Sequence, residues 1–176
     1  KFLPRAGRFM QEEDTEWAFG VMGLEDKARY LSTLYLEDLS DFLQETVDEH
    51  FGFSRYAEHL GRSASSFDEL DAELAKPSTF TDRYLVKLLA AKMEMYHPDM
   101  VAITVPFPGN LYSALRCGEW LKANYPDVTV VMGGGFANTE LRSLADVRFF
   151  RFTDYLLLDD GEIPLLHLIQ HVNGER

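Results

Sequence analysis

The sequence predicts an α/β fold: a doubly wound parallel sheet of the Rossmann or flavodoxin-like type, with an added helical region at the N-terminus. After Pro98, apolar runs typical of buried strands alternate with helical stretches, and before Pro98 the apolar periodicity is mostly helical. Repeated strand–helix succession gives parallel strands joined by right-handed crossovers. We therefore divide the chain into residues 1–97, a mainly helical region that could contribute part of the sheet, and residues 98–176, a βαβαβα unit.

The composition excludes several classes of protein. The chain has 176 residues and a formal charge of −12 without a basic patch, so we expect no nucleic-acid partner. No apolar run approaches the ~20 residues of a membrane span and no signal peptide is visible, so we expect a cytoplasmic protein without membrane contact. The single cysteine, Cys117, cannot form an internal disulfide or a cysteine-based metal site, and we interpret it as a small packed thiol.

The first predicted helix ends near Gly52. Its apolar face consists of Leu39, Phe42, Leu43 and Val47. Upstream of that face, residues 30–36 (YLSTLYL) fit either a strand or a helix start, and the pattern does not separate the two.

Two capping boxes predict two further helices before Pro98. Ser66 with Glu69 opens a short helix that Pro77 ends. Thr79 with Asp82 opens a longer helix. The predicted apolar face of this longer helix consists of Leu85, Leu88, Leu89, Met93 and Tyr96.

Three apolar runs after Pro98 predict three strands. They are MVAITV (100–105), VTVVM (128–132) and TDYLLL (153–158). The first run is continuously apolar, which is typical of a strand that is buried on both faces of a parallel sheet.

A helix is predicted after each strand. Asn110 is a good N-cap for the first helix, and Asn138 or Thr139 caps a short second one. The last helix follows residues 159–162 and has Pro164 near its first turn. The residues that we expect the first helix to bury are Leu111, Ala114, Leu115, Gly118 and Leu121.

Three glycine-containing loops follow the predicted strands: PFPGN (106–110), GGGFAN (133–138) and DDGE (159–162). In open α/β sheets, ligands bind in the crevice at the carboxyl ends of the strands. The three consecutive glycines 133–135 suit a ligand that lies directly on the backbone, although a tight strand-to-helix turn is the alternative explanation.

The loops indicate what kind of ligand to expect. The dinucleotide pattern G-x-G-x-x-G is absent because Asn138 occupies its last position, and no G-x-x-x-x-G-K-[ST] phosphate loop is present. Nothing nearby is strongly basic, so the loops suit a large, weakly charged ligand. Acidic residues at 159, 160 and 162 could suggest a divalent metal, but we interpret them as carboxylates at a helix start and predict no metal ligand.

Residues 98–170 resemble the cobalamin-binding domain of cobalamin-dependent radical S-adenosylmethionine enzymes. The resemblance is carried by PDMVAITVPFPGNLYSALRCGEWLKANYPDVTVVMGGGFANTELRSL and TDYLLLDDGEIPLLHLI: a PD-plus-apolar strand, an S/T-x-P-like loop, an apolar-GG strand end and a D-Y strand that leads to a G-E loop. It extends weakly to residues 1–14 and covers no motif in residues 15–97. Members of the family use the cofactor to methylate unactivated carbons or to rearrange rings.

The resemblance implies a set of residues that contact cobalamin (vitamin B12). Gly133, Gly134 and Gly135 would let the lower face or the nucleotide tail of the cofactor lie on the backbone. The implied cofactor-binding set is Phe107, Pro108, Gly109, Asn110, Gly133, Gly134, Gly135, Phe136, Asn138, Asp160, Gly161 and Glu162. The implied function is a module that presents the corrin to a radical S-adenosylmethionine domain of the same polypeptide.

The chain departs from the family in two ways. It lacks the C-x-x-x-C-x-x-C motif that holds a 4Fe–4S cluster, so the cluster, S-adenosylmethionine and the catalytic residues are expected elsewhere in the full-length protein. The first strand of the family's sheet would precede Lys1, and because the chain does not begin with methionine we expect a trimmed fragment.

A cobalt-ligating histidine is not expected. Residues 48–52 (DEHFG) nearly match D-x-H-x-x-G, but the glycine falls one residue early and the segment follows a helix. His97 precedes a strand, and His167 and His171 lie well inside the last helix, away from the crevice. His59 lacks an aspartate at the required spacing. Bound cobalamin would therefore have no protein histidine on its lower face.

Two alternatives remain open from the sequence. A flavodoxin-like module would bind a flavin or a nucleotide at the same strand ends. A protein-interaction domain would use its acidic helical half to recruit a partner, and its pocket would be vestigial.

Overall fold

The computed structural model describes residues 23–48, 51 and 67–175. The chain forms two compact units, residues 1–53 and 54–176. In the first unit, helix α1 (Leu24–Thr46) includes residues 30–36, so that segment is helix and not strand. The predicted face at 39, 42, 43 and 47 belongs to this helix, with Val47 as its C-cap. The predicted end near Gly52 is wrong, because the helix already ends at Thr46.

The second unit contains a sheet and the helices around it. In chain order its described elements are α2 (Phe67–Leu74), α3 (Phe80–Tyr96), β1 (Met100–Thr104), α4 (Pro108–Asn124), β2 (Thr129–Gly133), α5 (Gly135–Thr139), two 3-10 turns (Leu141–Ser143 and Val147–Arg151), β3 (Tyr155–Leu156) and α6 (Glu162–Val172). Since α2 and α3 belong to this unit, the division of the sequence at Pro98 falls inside it.

The strands form a three-stranded parallel sheet in the order β1-β2-β3. Ile103 pairs with Met132, which in turn pairs with Leu156. The prediction of an α/β fold with parallel strands is confirmed. The third strand is shorter than predicted, because residues 155–156 alone join the ladder out of the apolar run 153–158.

The sheet is covered by helices on the face that carries Ile103 and Met132. Both residues belong to the main core cluster, together with apolar side chains of α2, α4, α5 and the second 3-10 turn. A second cluster packs Met93 of α3 and Leu121 of α4 against Val130 of β2. The two connections between the strands therefore contribute to the same side of the sheet.

The opposite face of the sheet is partly open. Ala102 and Thr104 of β1 are exposed there, and Tyr155 of β3 is exposed beside the buried Val131. In this structure β1 is buried on one face alone, which differs from the prediction of burial on both faces. A continuous apolar run is typical of a strand buried on both faces, but it also fits a strand such as β1, which has small residues on its exposed face.

Helix α4 follows the prediction closely. Leu111, Ala114, Leu115, Gly118 and Leu121 are all buried. Gly118 must be small, because a Cβ at this position would lie 2.1 Å from the backbone oxygen of Phe152. The start of the helix differs from the prediction: α4 begins at Pro108, so Asn110 lies inside the first turn and is not the N-cap.

Helix α3 begins with the predicted capping box. The amide of Asp82 donates to the Thr79 hydroxyl at 3.2 Å, and the amide of Thr79 donates to the Asp82 carboxylate at 3.1 Å. The analogous box at Ser66 lies outside the described residues. The predicted apolar face of α3 is partly wrong, since Met93 is buried but Leu88 and Tyr96 are exposed.

Arg116 joins three helices in a buried polar cluster. From α4, its guanidinium donates to the carbonyl oxygens of Glu73, Leu74 and Lys76 at the end of α2, at 2.6 to 3.3 Å. It also lies 3.3 Å from the Asp82 carboxylate of α3. The remaining acceptors are the Tyr112 hydroxyl and the Glu119 carboxylate. Every N–H of the guanidinium can thus be satisfied, as expected for a buried charge that holds elements together.

Candidate functional site

The three predicted loops lie at the same edge of the sheet. Because β1, β2 and β3 are parallel, the segments that leave their carboxyl ends at 106–110, 133–138 and 157–162 follow one another along that edge. We call this edge, formed by the three segments, the carboxyl ledge.

Backbone hydrogen bonds join the second segment of the carboxyl ledge to Val105, which directly precedes the first segment. The amide of Val105 donates to the carbonyl of Gly133 at 2.7 Å, and the amide of Phe136 donates to the carbonyl of Val105 at 3.0 Å. The glycine segment therefore begins by packing on the end of β1, and the following helix starts directly from it.

Gly134 is required by the fold. Its φ of 107° lies in a region that favours glycine, and an added Cβ would lie 2.9 Å from the carbonyl oxygen of Val105. A Cβ at Gly135 would lie 3.2 Å from the carbonyl oxygen of Pro106. The close approach that explains these two glycines is made by the neighbouring loop of the same chain.

Gly161 has a different environment. Its φ is −62°, which any residue adopts, and no heavy atom lies within 4 Å of the position where its Cβ would stand. Neither backbone strain nor packing among the described residues explains a glycine here. The third segment therefore offers open space beside the backbone of Gly161, whose carbonyl accepts from the amide of Leu165 at 2.9 Å as the N-cap of α6.

Asn138 connects the second segment to the third. Its side-chain nitrogen donates to the carbonyl of Asp159 at 2.9 Å, and its side-chain oxygen accepts from the amide of Asp159. Arg142 adds an ion pair to the Asp159 carboxylate. Asn138 was predicted to cap a helix or to contact the ligand; it lies within α5, and its amide is occupied by this bridge.

The first segment presents an aromatic side chain. Phe107 is 68% exposed and precedes α4, whose first helical residue is Pro108. Within the described residues, no side chain caps the N-terminus of α4. Asn110 is exposed, and its amide donates to the carbonyl of Phe107 at 3.0 Å.

The third segment leads into the apolar helix α6. Asp160, Gly161 and Glu162 are exposed, and Ile163 is 63% exposed beside them. The described side chains provide no cap for the N-terminus of α6 either. Among the described residues, no group of three or more His, Cys, Asp and Glu side chains is arranged to hold a metal ion.

The sequence-predicted residues thus fall into two groups. Phe107, Gly135, Asn110, Asp160, Gly161 and Glu162 are exposed on the carboxyl ledge, and Pro108, Gly109, Gly133 and Gly134 are partly exposed. Phe136 belongs to the other group: it is 3% exposed and packs in the main core cluster, so it is not available to a ligand in this structure.

The described histidines lie away from the carboxyl ledge. His97 is the C-cap of α3 and precedes β1, which places it at the amino-terminal edge of the sheet, as predicted. His167 and His171 lie in the second and later turns of α6. His50 and His59 lie outside the described residues.

Two features near the ledge were not anticipated from sequence. Asp159 has a φ of 66°, a left-handed conformation that the DDGE pattern does not reveal, and its partner Arg142 comes from a 3-10 turn.

Cys117 is half-buried, and burial raises the pKa of its thiol, which suits a packed thiol better than a nucleophile.

Comparison with protein-family models, with curated proteins and with solved structures finds no significant match to the chain. Within the part of the chain that the structure describes, no helix is both long enough and apolar enough to cross a membrane.

Proposed function

We propose that this chain is a cobalamin-binding module of a radical S-adenosylmethionine enzyme. It would present the corrin to a catalytic domain located elsewhere in the full-length polypeptide, and that domain would hold S-adenosylmethionine and the 4Fe–4S cluster. The chain itself would contribute no catalytic residue and would work in the cytoplasm.

The observation that carries the proposal is the open backbone at Gly161. Of the glycines on the carboxyl ledge, Gly134 is explained by its own backbone conformation and by the proximity of Val105. Gly161 has an ordinary φ and open space where a side chain would stand. A glycine without a structural demand, at the strand ends where α/β sheets bind ligands, supports close approach of a ligand to the backbone.

The exposed apolar side chains on the carboxyl ledge suit a bulky, weakly charged cofactor. Phe107 offers an exposed aromatic face, and Ile163 offers an exposed aliphatic side chain. Pro108 and Pro164 have no N–H, and the Asn110 amide already donates to Phe107, so the amides of Gly109, Glu162 and Ile163 are the ones that would donate to oxygens of the nucleotide tail. We therefore assign Phe107, Asn110, Gly161 and Glu162 to the walls that would hold the cofactor.

Cobalamin, when bound, would supply a cobalt centre that can carry a methyl group. This chain's own residues would bind the cofactor, orient it and limit the access of water to it. Because His97, His167 and His171 lie away from the carboxyl ledge, we propose that none of them ligates cobalt.

The finer fold assignment is also part of the proposal. A doubly wound sheet, of the Rossmann or flavodoxin-like type, needs a second helical layer over the face that carries Ala102 and Thr104. The exposure of these two residues supports such a layer, because a small-residue sheet face lets a helix approach closely.

Titration with hydroxocobalamin, followed by the visible spectrum, tests the proposed function. We expect saturable binding that Gly161→Val weakens at least about tenfold, because the branched side chain fills the open space while the αR backbone accepts it. Ala123→Val, at an exposed position near the end of α4, is the matched control and should leave binding unchanged. Both variants should remain folded, with similar small decreases in melting temperature, because Val is a weaker N-cap than Gly and a weaker helix former than Ala.

The same titration separates the rival functions. Binding of flavin mononucleotide in place of hydroxocobalamin would favour a flavodoxin-like module. Absence of binding to either compound would contradict a cofactor-binding ledge and would favour an interaction domain. Equal affinity of the parent chain and Gly161→Val would show that the ligand does not contact this backbone.

A further inference from the structure

Helix α3 has two apolar faces. One face contains Met93 and the half-buried Leu85 and Leu89, and it packs toward α4 and the sheet. The opposite face is exposed. We call this exposed face the outer stripe; its residues are Phe80, Tyr84, Leu88, Ala91 and Met95.

The outer stripe is too continuous to be a scatter of exposed apolar residues. At 100° per residue its five members fall within about 80° of one another on the helix. Its four large side chains are 51 to 64% exposed. Contiguous apolar surface of this kind marks an interaction site in soluble proteins.

The spacing of the outer stripe is that of a coiled-coil seam. Tyr84, Leu88, Ala91 and Met95 follow one another at intervals of four, three and four residues, as d, a, d and a positions do. The flanking positions carry charge: Lys87 and Glu94 lie at g positions, and Lys92 lies at an e position. These flanking charges distinguish a parallel from an antiparallel partner helix.

We propose that the outer stripe pairs with the outer stripe of a second copy of this chain, antiparallel and about a two-fold axis. In this register Tyr84 lies opposite the partner's Met95, and Leu88 lies opposite the partner's Ala91. Each layer joins one larger and one smaller side chain, so the seam is self-complementary, as a two-fold interface requires.

The charges select the antiparallel orientation. In this register the g positions face each other, so Lys87 lies near the partner's Glu94, and the two-fold axis repeats the pair. A parallel pairing would instead bring Lys87 against the partner's Lys92, which is repulsive. Glu94 is already oriented on the surface, because Tyr125 donates to its carboxylate at 3.0 Å.

Sedimentation velocity of the 176-residue chain over a range of protein concentrations tests the pairing. We expect a reversible dimer that Leu88→Gln dissociates, raising Kd at least about tenfold. Since Leu88 is half exposed, the variant should keep the helix content of the parent, and its melting temperature should equal that of the parent at protein concentrations below the Kd of the parent dimer. Met95→Gln, on the same stripe, should act in the same direction, and Val147→Gln, at an exposed position away from α3, is the matched control.

A charge exchange tests the register independently. Lys87→Glu and Glu94→Lys should each weaken the dimer, and the double variant should restore it, because both ion pairs are then re-formed with reversed sign. A monomer at all concentrations would overturn the proposal. So would a dimer that is indifferent to Leu88→Gln, or a double variant that is weaker than either single one.

Discussion

Asn138 binds both the amide and the carbonyl of Asp159 through the two ends of its side-chain amide. The two residues belong to different strand ends, so this bridge holds the third segment of the carboxyl ledge against the second. It also fixes Asp159 in its left-handed conformation, since both backbone hydrogen-bonding groups of that residue are engaged. Gly161, two residues further on, is positioned by this bridge.

Asn138→Ala should destabilise the chain by about 1 kcal/mol, because two partly exposed hydrogen bonds to Asp159 are lost. The change should appear in the midpoint of urea unfolding. Asp159→Asn is the control: it keeps the backbone bridge, tolerates the left-handed conformation and removes the exposed ion pair to Arg142. A control that is as destabilising as Asn138→Ala would mean that the ion pair, not the bridge, holds the segment.

Gly134→Ala should cost about 2 kcal/mol or more in the free energy of unfolding. The methyl group would meet the backbone of Val105 and would force a positive φ on a residue with a side chain. Gly133→Ala is a matched neighbour, because its Cβ would make ordinary contacts of 3.4 and 3.5 Å with Leu157. Chemical denaturation of both variants should separate them clearly, and equal stabilities would contradict the assigned backbone at 134.

Arg116→Leu should be the most destabilising of these changes, at about 3–5 kcal/mol, because it leaves Asp82 and three backbone carbonyls of residues 73–76 buried without their cation. Glu119→Gln removes a partly exposed carboxylate from the same guanidinium and should cost under about 1 kcal/mol. Thermal and urea unfolding measure both values. A mild effect of Arg116→Leu would show that water or a shifted helix replaces the guanidinium.

The stability of the chain should decrease in acid partly through Asp146. Its side-chain hydrogen bonds with Arg148 lower the pKa of this carboxyl from 3.8 to about 2. A carboxyl that is more acidic in the folded state stabilises fully above its unfolded pKa, and this contribution is lost as the pH falls toward the folded value. Asp146→Asn should therefore be less stable than the parent at pH 6, and the gap should close between about pH 4 and pH 2. A gap that is constant over this range of urea-unfolding measurements would rule out the linkage.

The helices were predicted well where a single local signal, such as apolar periodicity or a capping box, was clear. The buried face of α4 could be read from the sequence because its apolar positions repeat on one side of the helix. The capping box at Thr79 and Asp82 needs nothing beyond its own four residues. The prediction for α3 was partly wrong because apolar residues occupy both sides of that helix, and periodicity cannot tell which of Leu88 and Leu89 faces the core.

The candidate site was harder to predict because its contacts join distant segments. The three strand ends could be placed at one edge from the βαβ pattern, and that prediction is confirmed. The residue that approaches Gly134 could not be derived, since Val105 lies at the end of the neighbouring strand β1. Asn110 and Asn138 were predicted as caps by residue type, but Pro108 starts α4 earlier and the glycine turn starts α5 earlier. The proposed site therefore centres on Phe107 and Gly161 and not on the glycine triplet.

The sequential strand order has a consequence for how the sheet assembles. Among the strands that the structure describes, β2 pairs with β1 and β3 pairs with β2, so none of these three has to be inserted between two that are already joined. The five-residue ladder between β1 and β2 can form as soon as residue 133 has left the ribosome, and β3 adds two residue pairs later. Such closures over short stretches of chain favour rapid folding, and the sheet can grow in the direction of synthesis.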